Sequence, residues 1–408
     1  MKSLYNWGLA GLLCSAMAAF TTPVSAQILD VVPEEDAQVT EEGILTTLLK
    51  DLNVSGFVDT NYFYNDEAPA GQDSLTPLNF IGENENHSLT FESFALFLDK
   101  EATDEHPIGW QLHTYFGEKA KRITFLGEED TNDVDRDDIF TVATANVSWI
   151  APIGKGITFT FGKIYTWIGA ELVENINNPN YQHGTLYNNA IPFTHTGMSA
   201  SYDLTDTVSL TLYGVNGWDS FIDNNSSKSW GWYLTYTPTD RFFISLAGIH
   251  GAEGWDNEAG PIPANVQRTE SNGGFVSLFD LVTTYQLTSN LAFMLNVDWG
   301  QAEDAGLDIA NGVATGNTGH WFGVAPYAMY DFTDWIQGVI RYEYFDDRDG
   351  VRFFDQTIWD VTLTLNIEMR ENLLFRPEYR YIHYSDPDAI GVKDSSANIY
   401  GIGIEYIF

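Results

Sequence analysis

Eight histidines are the first candidates for catalysis or metal binding: His87, His106, His113, His183, His195, His250, His320 and His383. None stands at metal-ligand spacing, and neither H-E-x-x-H nor G-x-S-x-G occurs. Hydrolytic triads are set by geometry and not by spacing, so His195 and nearby Ser199 are the one pair with suitable chemistry. Asp133, Asp135 and Asp137 alternate like the start of a calcium loop, because hard cations take several carboxylates together. Asp138 and Thr144 occupy the positions of that loop's glycine and closing glutamate. A solvated acidic loop with loose divalent-cation contacts is therefore expected, and no dedicated metal site. No enzyme activity and no cofactor are expected.

A second group could act on a solute in passage. Glu171, Glu174, Asn175, Asn178 and Tyr181 fall in a long Asn-rich connection, 168–193. Arg341, Arg376 and Arg380 interleave with Glu343 and Glu378 at alternate positions of two apolar-faced segments. Acidic and amide groups facing arginines would create a transverse field that orients polar solutes. The plainer alternatives are a surface loop held by Asx-turns and cross-strand ion pairs that brace a wall.

The segments that must position these residues are strands. Along 357–369, Trp359, Val361, Leu363, Leu365, Ile367 and Met369 share one face, with Asp360, Thr362, Thr364, Asn366 and Glu368 on the other. The same alternation recurs at 336–344 and 375–381. Sixteen such strands follow between 53 and 408, the number being even as a closed bacterial barrel requires. Their connections alternate between long and short. The long ones fall near 66–85, 117–138, 168–193, 217–228, 250–272, 300–318, 346–355 and 385–396. The short ones repeat a pattern: Tyr202-Asp203-Leu204-Thr205-Asp206, Tyr236-Thr237-Pro238-Thr239-Asp240, Tyr330-Asp331-Phe332-Thr333-Asp334. Long outer loops, short periplasmic turns and a tyrosine girdle are the asymmetry of an outer-membrane barrel, whose apolar face meets lipid. A soluble sandwich seldom runs so many strands in one domain. The fold expected is all-β, a closed antiparallel transmembrane barrel over 52–408.

Lys163 breaks the pattern, because Ile157, Phe159 and Phe161 assign it to the lipid face. A bulge at Gly162 would turn it into the lumen. Residues 1–26 read as a signal peptide, with Lys2, an apolar stretch from Leu4 to Phe20, and a small-residue cleavage site at Val24-Ser25-Ala26. Its removal takes away Cys14, the only cysteine, and with it any disulfide or thiolate chemistry. Residues 27–51 form a periplasmic segment in which Ile44, Leu45, Leu48 and Leu49 stand at helical spacing, either a short helix at the inner mouth or a frayed tail. The net charge of −38 excludes nucleic acid as a partner. The acidic loops predict a mild cation preference at the mouth.

The final strand places Tyr400, Ile402, Ile404, Tyr406 and Phe408 on one face. This resembles the C-terminal signal by which barrel-assembly machinery recognises its clients. Between 161 and 232, Phe161-Gly162-Lys163, Gly169-Ala170-Glu171, Asn175 through Tyr181, Pro192-Phe193-Thr194-His195-Thr196-Gly197, Val215-Asn216-Gly217-Trp218-Asp219, and Asp223-Asn224-Asn225 with Lys228 together resemble the putative β-barrel porin-2 (OmpL-like) family. That resemblance implies outer-membrane location and a porin-like barrel, and brings no site residues. The expected function is passive diffusion of small hydrophilic solutes and ions, narrowed by the 168–193 loop. The alternatives are a substrate-selective channel, for example for sugars, and a non-transport barrel serving as adhesin or hydrolase. Lipid, lipopolysaccharide and a homotrimeric assembly are the expected partners.

Overall fold

A computed structural model describes residues 51–67, 86–125, 139–223, 225–253, 274–303, 307–308, 313–314, 317–352, 355–387 and 394–408. The leader, residues 27–50 and the acidic run at Asp133, Asp135 and Asp137 lie outside them. Sixteen strands close a barrel in which each pairs antiparallel with its chain neighbours. They are β1 (Asn53–Asn65), β2 (Leu89–Lys100), β3 (Ile108–Phe116), β4 (Phe140–Ala151), β5 (Ile157–Tyr165), β6 (Thr194–Asp203), β7 (Val208–Val215), β8 (Ser229–Thr239), β9 (Phe242–Ala252), β10 (Phe275–Gln286), β11 (Leu291–Ala302), β14 (Gly319–Thr333), β15 (Ile336–Asp346), β16 (Thr357–Arg370), β17 (Leu373–Tyr384) and β18 (Ser396–Ile407). The two-residue strands β12 (Leu307–Asp308) and β13 (Val313–Ala314) pair with each other in an outer loop.

Closure joins the ends of the chain. β1 pairs β18 from Phe57↔Ile407 to Asn65↔Ile399, and Gly56 and Phe408 exchange backbone hydrogen bonds, each of 3.0 Å. No sheet edge is then left open, which a lipid-embedded sheet requires. The outer face is apolar: Phe91, Trp149, Met198, Leu212, Phe279, Ile340, Leu363 and Ile404 are exposed. Among the described residues no helix is long and apolar enough to cross a membrane; the crossing elements are strands.

The inner face is less polar than expected of a water-filled lumen. Leu278, Val282, Met294, Met329, Val339 and Ile358 point inward and are buried in one apolar cluster with Ile168, Ala170, Val173 and Ile176 of the long loop after β5. Part of the barrel is thus a packed core.

Gly162 carries no bulge. Its pairing with Asn146 on β4 and Gly197 on β6 continues without a shift. The nearby irregularity lies between β3 and β4, at His113/Thr114. Glycine is needed there because φ is +131° and an added Cβ would stand 2.3 Å from the Ala145 carbonyl oxygen. Lys163 therefore keeps the face of Phe161 and Met198, which corrects its expected lumen position. It lies near the outer end of β5, and its Nζ donates to the Val142 carbonyl (2.9 Å) and sits 5.8 Å from the Phe221 ring. A cation close to the interface with a carbonyl partner avoids the midplane cost.

Candidate functional site

The connection between β5 and β6 turns into the barrel as soon as β5 ends. Trp167 stacks on inward Tyr213 of β7 at 3.7 Å and 7°, and its Nε1 donates to the Gly248 carbonyl of nearby β9 (3.4 Å). Asn178 then closes the loop on itself, its side chain accepting from Leu172 N (2.8 Å) and donating to Leu172 O (2.7 Å). A 3₁₀ turn at Asn175–Asn177 and a short helix α2 (Thr185–Ala190) follow. Asparagine serves here as a local replacement for backbone pairing, and the same loop engages the wall.

A loop buried inside a barrel carries backbone N–H and C=O groups that water cannot satisfy, so the wall must supply partners. Inward glutamates take the donors. Glu378 accepts from Tyr181 N (2.7 Å) and Gln182 N (3.0 Å), and Glu343 accepts from Thr185 N (2.8 Å) and Leu186 N (3.2 Å) at the start of α2. Inward arginines take the acceptors. Arg376 donates to the carbonyls of Asn175 (2.9 Å), Asn178 (2.6 Å) and Pro179 (3.1 Å), and Arg380 to that of His183 (3.2 Å). Arg341 donates to Gln182 O (3.0 Å) and to the Glu171 carboxylate (2.5 Å).

Each arginine has a carboxylate partner in place. Arg341 lies between Glu171 and Glu343, Arg376 meets Glu405 at 3.2 Å, and Arg380 meets Asp360 at 2.8 Å. The arginines do not face the loop across water, as a transverse field would require. They lie beneath it and hold it.

Glu171, Glu174, Asn175, Asn178 and Tyr181 are all buried within this assembly. Glu171 also accepts from Gly184 N (2.6 Å) and the Tyr327 hydroxyl (3.0 Å). The Tyr181 hydroxyl donates to Asp59 (2.8 Å) and accepts from Asn61 (2.9 Å). Its ring occupies a slot opened by Gly403, where an added Cβ would fall 2.2 Å from it. Glu174 stands 4.0 Å from His113.

Sequence reasoning missed Lys119. It sits on helix α1 (Glu118–Phe125) in the connection after β3, expected only as an acidic surface loop, and its Nζ donates to Asn175 Oδ1 (2.7 Å). Asp59, Asn61 and Asn296 were missed too, although alternation alone turns them inward.

A family model described as "Putative beta-barrel porin-2, OmpL-like" matches residues 51–408, the whole barrel. The chain belongs to that family. No curated protein sequence matches it. Among solved structures it is similar to the outer-membrane channel DcaP of Acinetobacter baumannii, with a TM-score of 0.59 and 12% identity over 88% of this chain and 97% of that one. OmpT of Vibrio cholerae, folded in vitro, gives 0.55 and 13% over 88% and 97%. An anion-selective porin from Comamonas acidovorans gives 0.54 and 12% over 88% and 99%. This porin-2 barrel is an outer-membrane porin channel.

In the porin-2 barrel the loop's hydrogen bonds fall mainly on one part of the wall, while Trp167 stacks on Tyr213 of β7 and Glu174 stands beside His113 of β3. The loop's bonds reach β11 at Asn296 (from Ala170 N, 3.1 Å), β14 at Trp321 (to Ala190 O, 3.1 Å), then β15 through β18 and on to β1. On β3–β5, inward Gln111, Asn146 and Thr160 are half-buried. His195 and Ser199 form no catalytic pair. They stand four residues apart on one strand face, about 13 Å, and the His195 ring is taken by Gly217 O (2.8 Å) and Thr166 Oγ1 (3.2 Å).

Proposed function

We propose that this porin passes small hydrophilic solutes and ions by passive diffusion, through a passage between the inward-folded 168–193 loop and the β2–β8 wall. The observation that carries this reading is the loop's anchorage. Its backbone is bonded to arginines and glutamates of one half of the wall, while Gln111, Asn146 and Thr160 on the other half keep part of their surface exposed. No catalytic role is assigned to any residue of the lumen. The chain reaches the outer membrane after removal of residues 1–26, with the strand ending at Phe408 as the feature read by the assembly machinery. The trimer form of Vibrio cholerae OmpT supports a homotrimer.

A second reading, selectivity for sugars, draws on the Trp167–Tyr213 stack beside Tyr233, since aromatic rings stack on hydroxylated rings. Planar-bilayer recording of the refolded chain tests the first reading. Steady ohmic steps are expected, larger after deletion of residues 173–182. A barrel that is folded by heat-modifiability yet electrically silent overturns it.

A further inference from the structure

The connection after β3 also turns inward. Gly117 takes φ +108° at its start, and an added Cβ there would stand 2.7 Å from the Glu92 carbonyl oxygen, a turn that glycine tolerates. Helix α1 follows and packs against β2, β3 and β4. Its Ala120 and Ile123 are buried in the same apolar cluster as Val173, Ile176 and Tyr187 of the 168–193 loop. The two segments meet at Lys119. That residue is 6% exposed; its Nζ donates to Asn175 Oδ1 (2.7 Å) and stands 3.4 Å from His183 Nδ1. His183 Nε2 lies 2.7 Å from the Leu172 carbonyl, which can only accept. Nε2 therefore carries the hydrogen, and Nδ1 turns its lone pair to the ammonium. One cation thus serves two points of the loop directly and a third, Leu172, through the imidazole. We infer that the narrow zone of the pore is built from two inserted segments, α1 and the 168–193 loop, and that Lys119 is the positioning residue that fastens one to the other.

The Lys119 contact and the wall contacts hold different sides of the loop. Glu343 on β15 and Glu378 and Arg376 on β17 fix it to the wall that it covers. Lys119 fixes it to the helix that lies on β2–β4, where a displacement would widen the passage. Asn175 is held from both sides, its side chain by Lys119 and its carbonyl by Arg376 (2.9 Å). The Lys119 charge also acts on Asp59 and Glu405, register partners on β1 and β18, so the cation is compensated where it is buried. A role confined to balancing those carboxylates would need no contact with Asn175, and the two roles part on that contact. The inference rests on the porin reading, and the experiment separates the two.

Single-channel recording in planar bilayers compares the wild type with Lys119→Met, Asn175→Ala and the double variant. The quantity read is the time spent in a larger conductance level relative to the wild-type level. Lys119→Met keeps the length of the side chain and removes the donor. A hydrogen bond from a charged donor biases an equilibrium by a factor of about ten to a hundred, so the ratio should rise by that factor. Asn175→Ala removes the acceptor, leaves the charge beside Asp59 and Glu405, and should raise the ratio in the same direction. Because both changes break one bond, the double variant should match the larger single effect and not the product of the two. Heat-modifiability shows that each variant is folded. Should Lys119→Met fail to fold, Asn175→Ala decides alone, and a wild-type ratio in it overturns the inference. Folded Lys119→Met channels with the wild-type ratio, or a double variant equal to the product, also overturn it and leave the porin reading intact. A folded wild type without channels overturns the porin reading itself.

Discussion

The wall from β9 round to β1 and the wall from β2 to β8 obey one alternation rule and differ in what their inward side chains meet. The first presents Arg341, Arg376, Arg380, Glu343 and Glu378 among Met294, Met329 and Val339, and buries all of them under the loop. The second presents half-buried Gln111, Asn146 and Thr160 beside buried His113, Tyr115, Ser201 and Thr211, with no inward arginine among the described residues. Charge is therefore densest beneath the loop. Ionic side chains in this barrel act first as donors and acceptors for a buried loop backbone. The difference teaches that an inward charge in a porin reports on conduction only if the structure leaves it wet.

The largest expected effect breaks the anchored half. Arg376 has no exposed surface and serves three loop carbonyls, Asn366 Oδ1 (2.7 Å) and Glu405. Arg376→Ala leaves Glu405 buried without its cation and the carbonyls without donors, a loss of about 3–5 kcal/mol. Urea unfolding in detergent micelles measures it. The same variant should give noisier and larger conductance steps, because the loop segment 175–179 loses its clamp. An unchanged unfolding midpoint with quiet wild-type steps would mean that the loop is held from elsewhere.

How much of this could be read from sequence follows from the same contrast. Strand number, loop alternation and the inward face of Arg341, Arg376 and Arg380 were legible, because period two is a local property. So was the singling out of 168–193, from its length and asparagines. The pairing of loop atoms with wall atoms was not. Arg376 and Asn178 are 198 positions apart, and parity assigns a face, not a partner. The apolar inward residues were hidden for a related reason. Met294 and Met329 break a polar-inside rule that assumes water, and only the folded loop explains why they are dry. Lys119 was hidden because eight helical residues in a polar loop give too little periodicity to single out. Lys163 was misassigned because a glycine in a strand signals either a bulge or a close approach, and at Gly162 it is the approach.

A smaller change sharpens the comparison within the anchored half. Tyr181→Phe keeps the ring in the Gly403 slot and removes only the hydroxyl between Asp59 and Asn61. Leaving a buried acceptor without its donor costs about 1–3 kcal/mol. The unfolding midpoint should fall by less than for Arg376→Ala, with conductance unaltered, since the loop's backbone bonds to Glu378 remain.

The smallest effect should come from the open half. Ser201 on β6 and Thr211 on β7 share a cross-strand hydrogen bond of 2.7 Å on the inward face, with either hydroxyl able to donate. Ser201→Ala removes that bond without stranding a charge or a backbone group. Both residues are buried, and the remaining Thr211 hydroxyl keeps the Tyr213 hydroxyl as a hydrogen-bond neighbour. The cost should then be at or below the ordinary net worth of one hydrogen bond, about 0.5–1.5 kcal/mol. Unit conductance should stay at the wild-type value. A loss as large as that of Tyr181→Phe, measured in the same urea series, would show that the β2–β8 wall is as tightly packed as its counterpart. The division of the lumen into an anchored half and a conducting half would then fail.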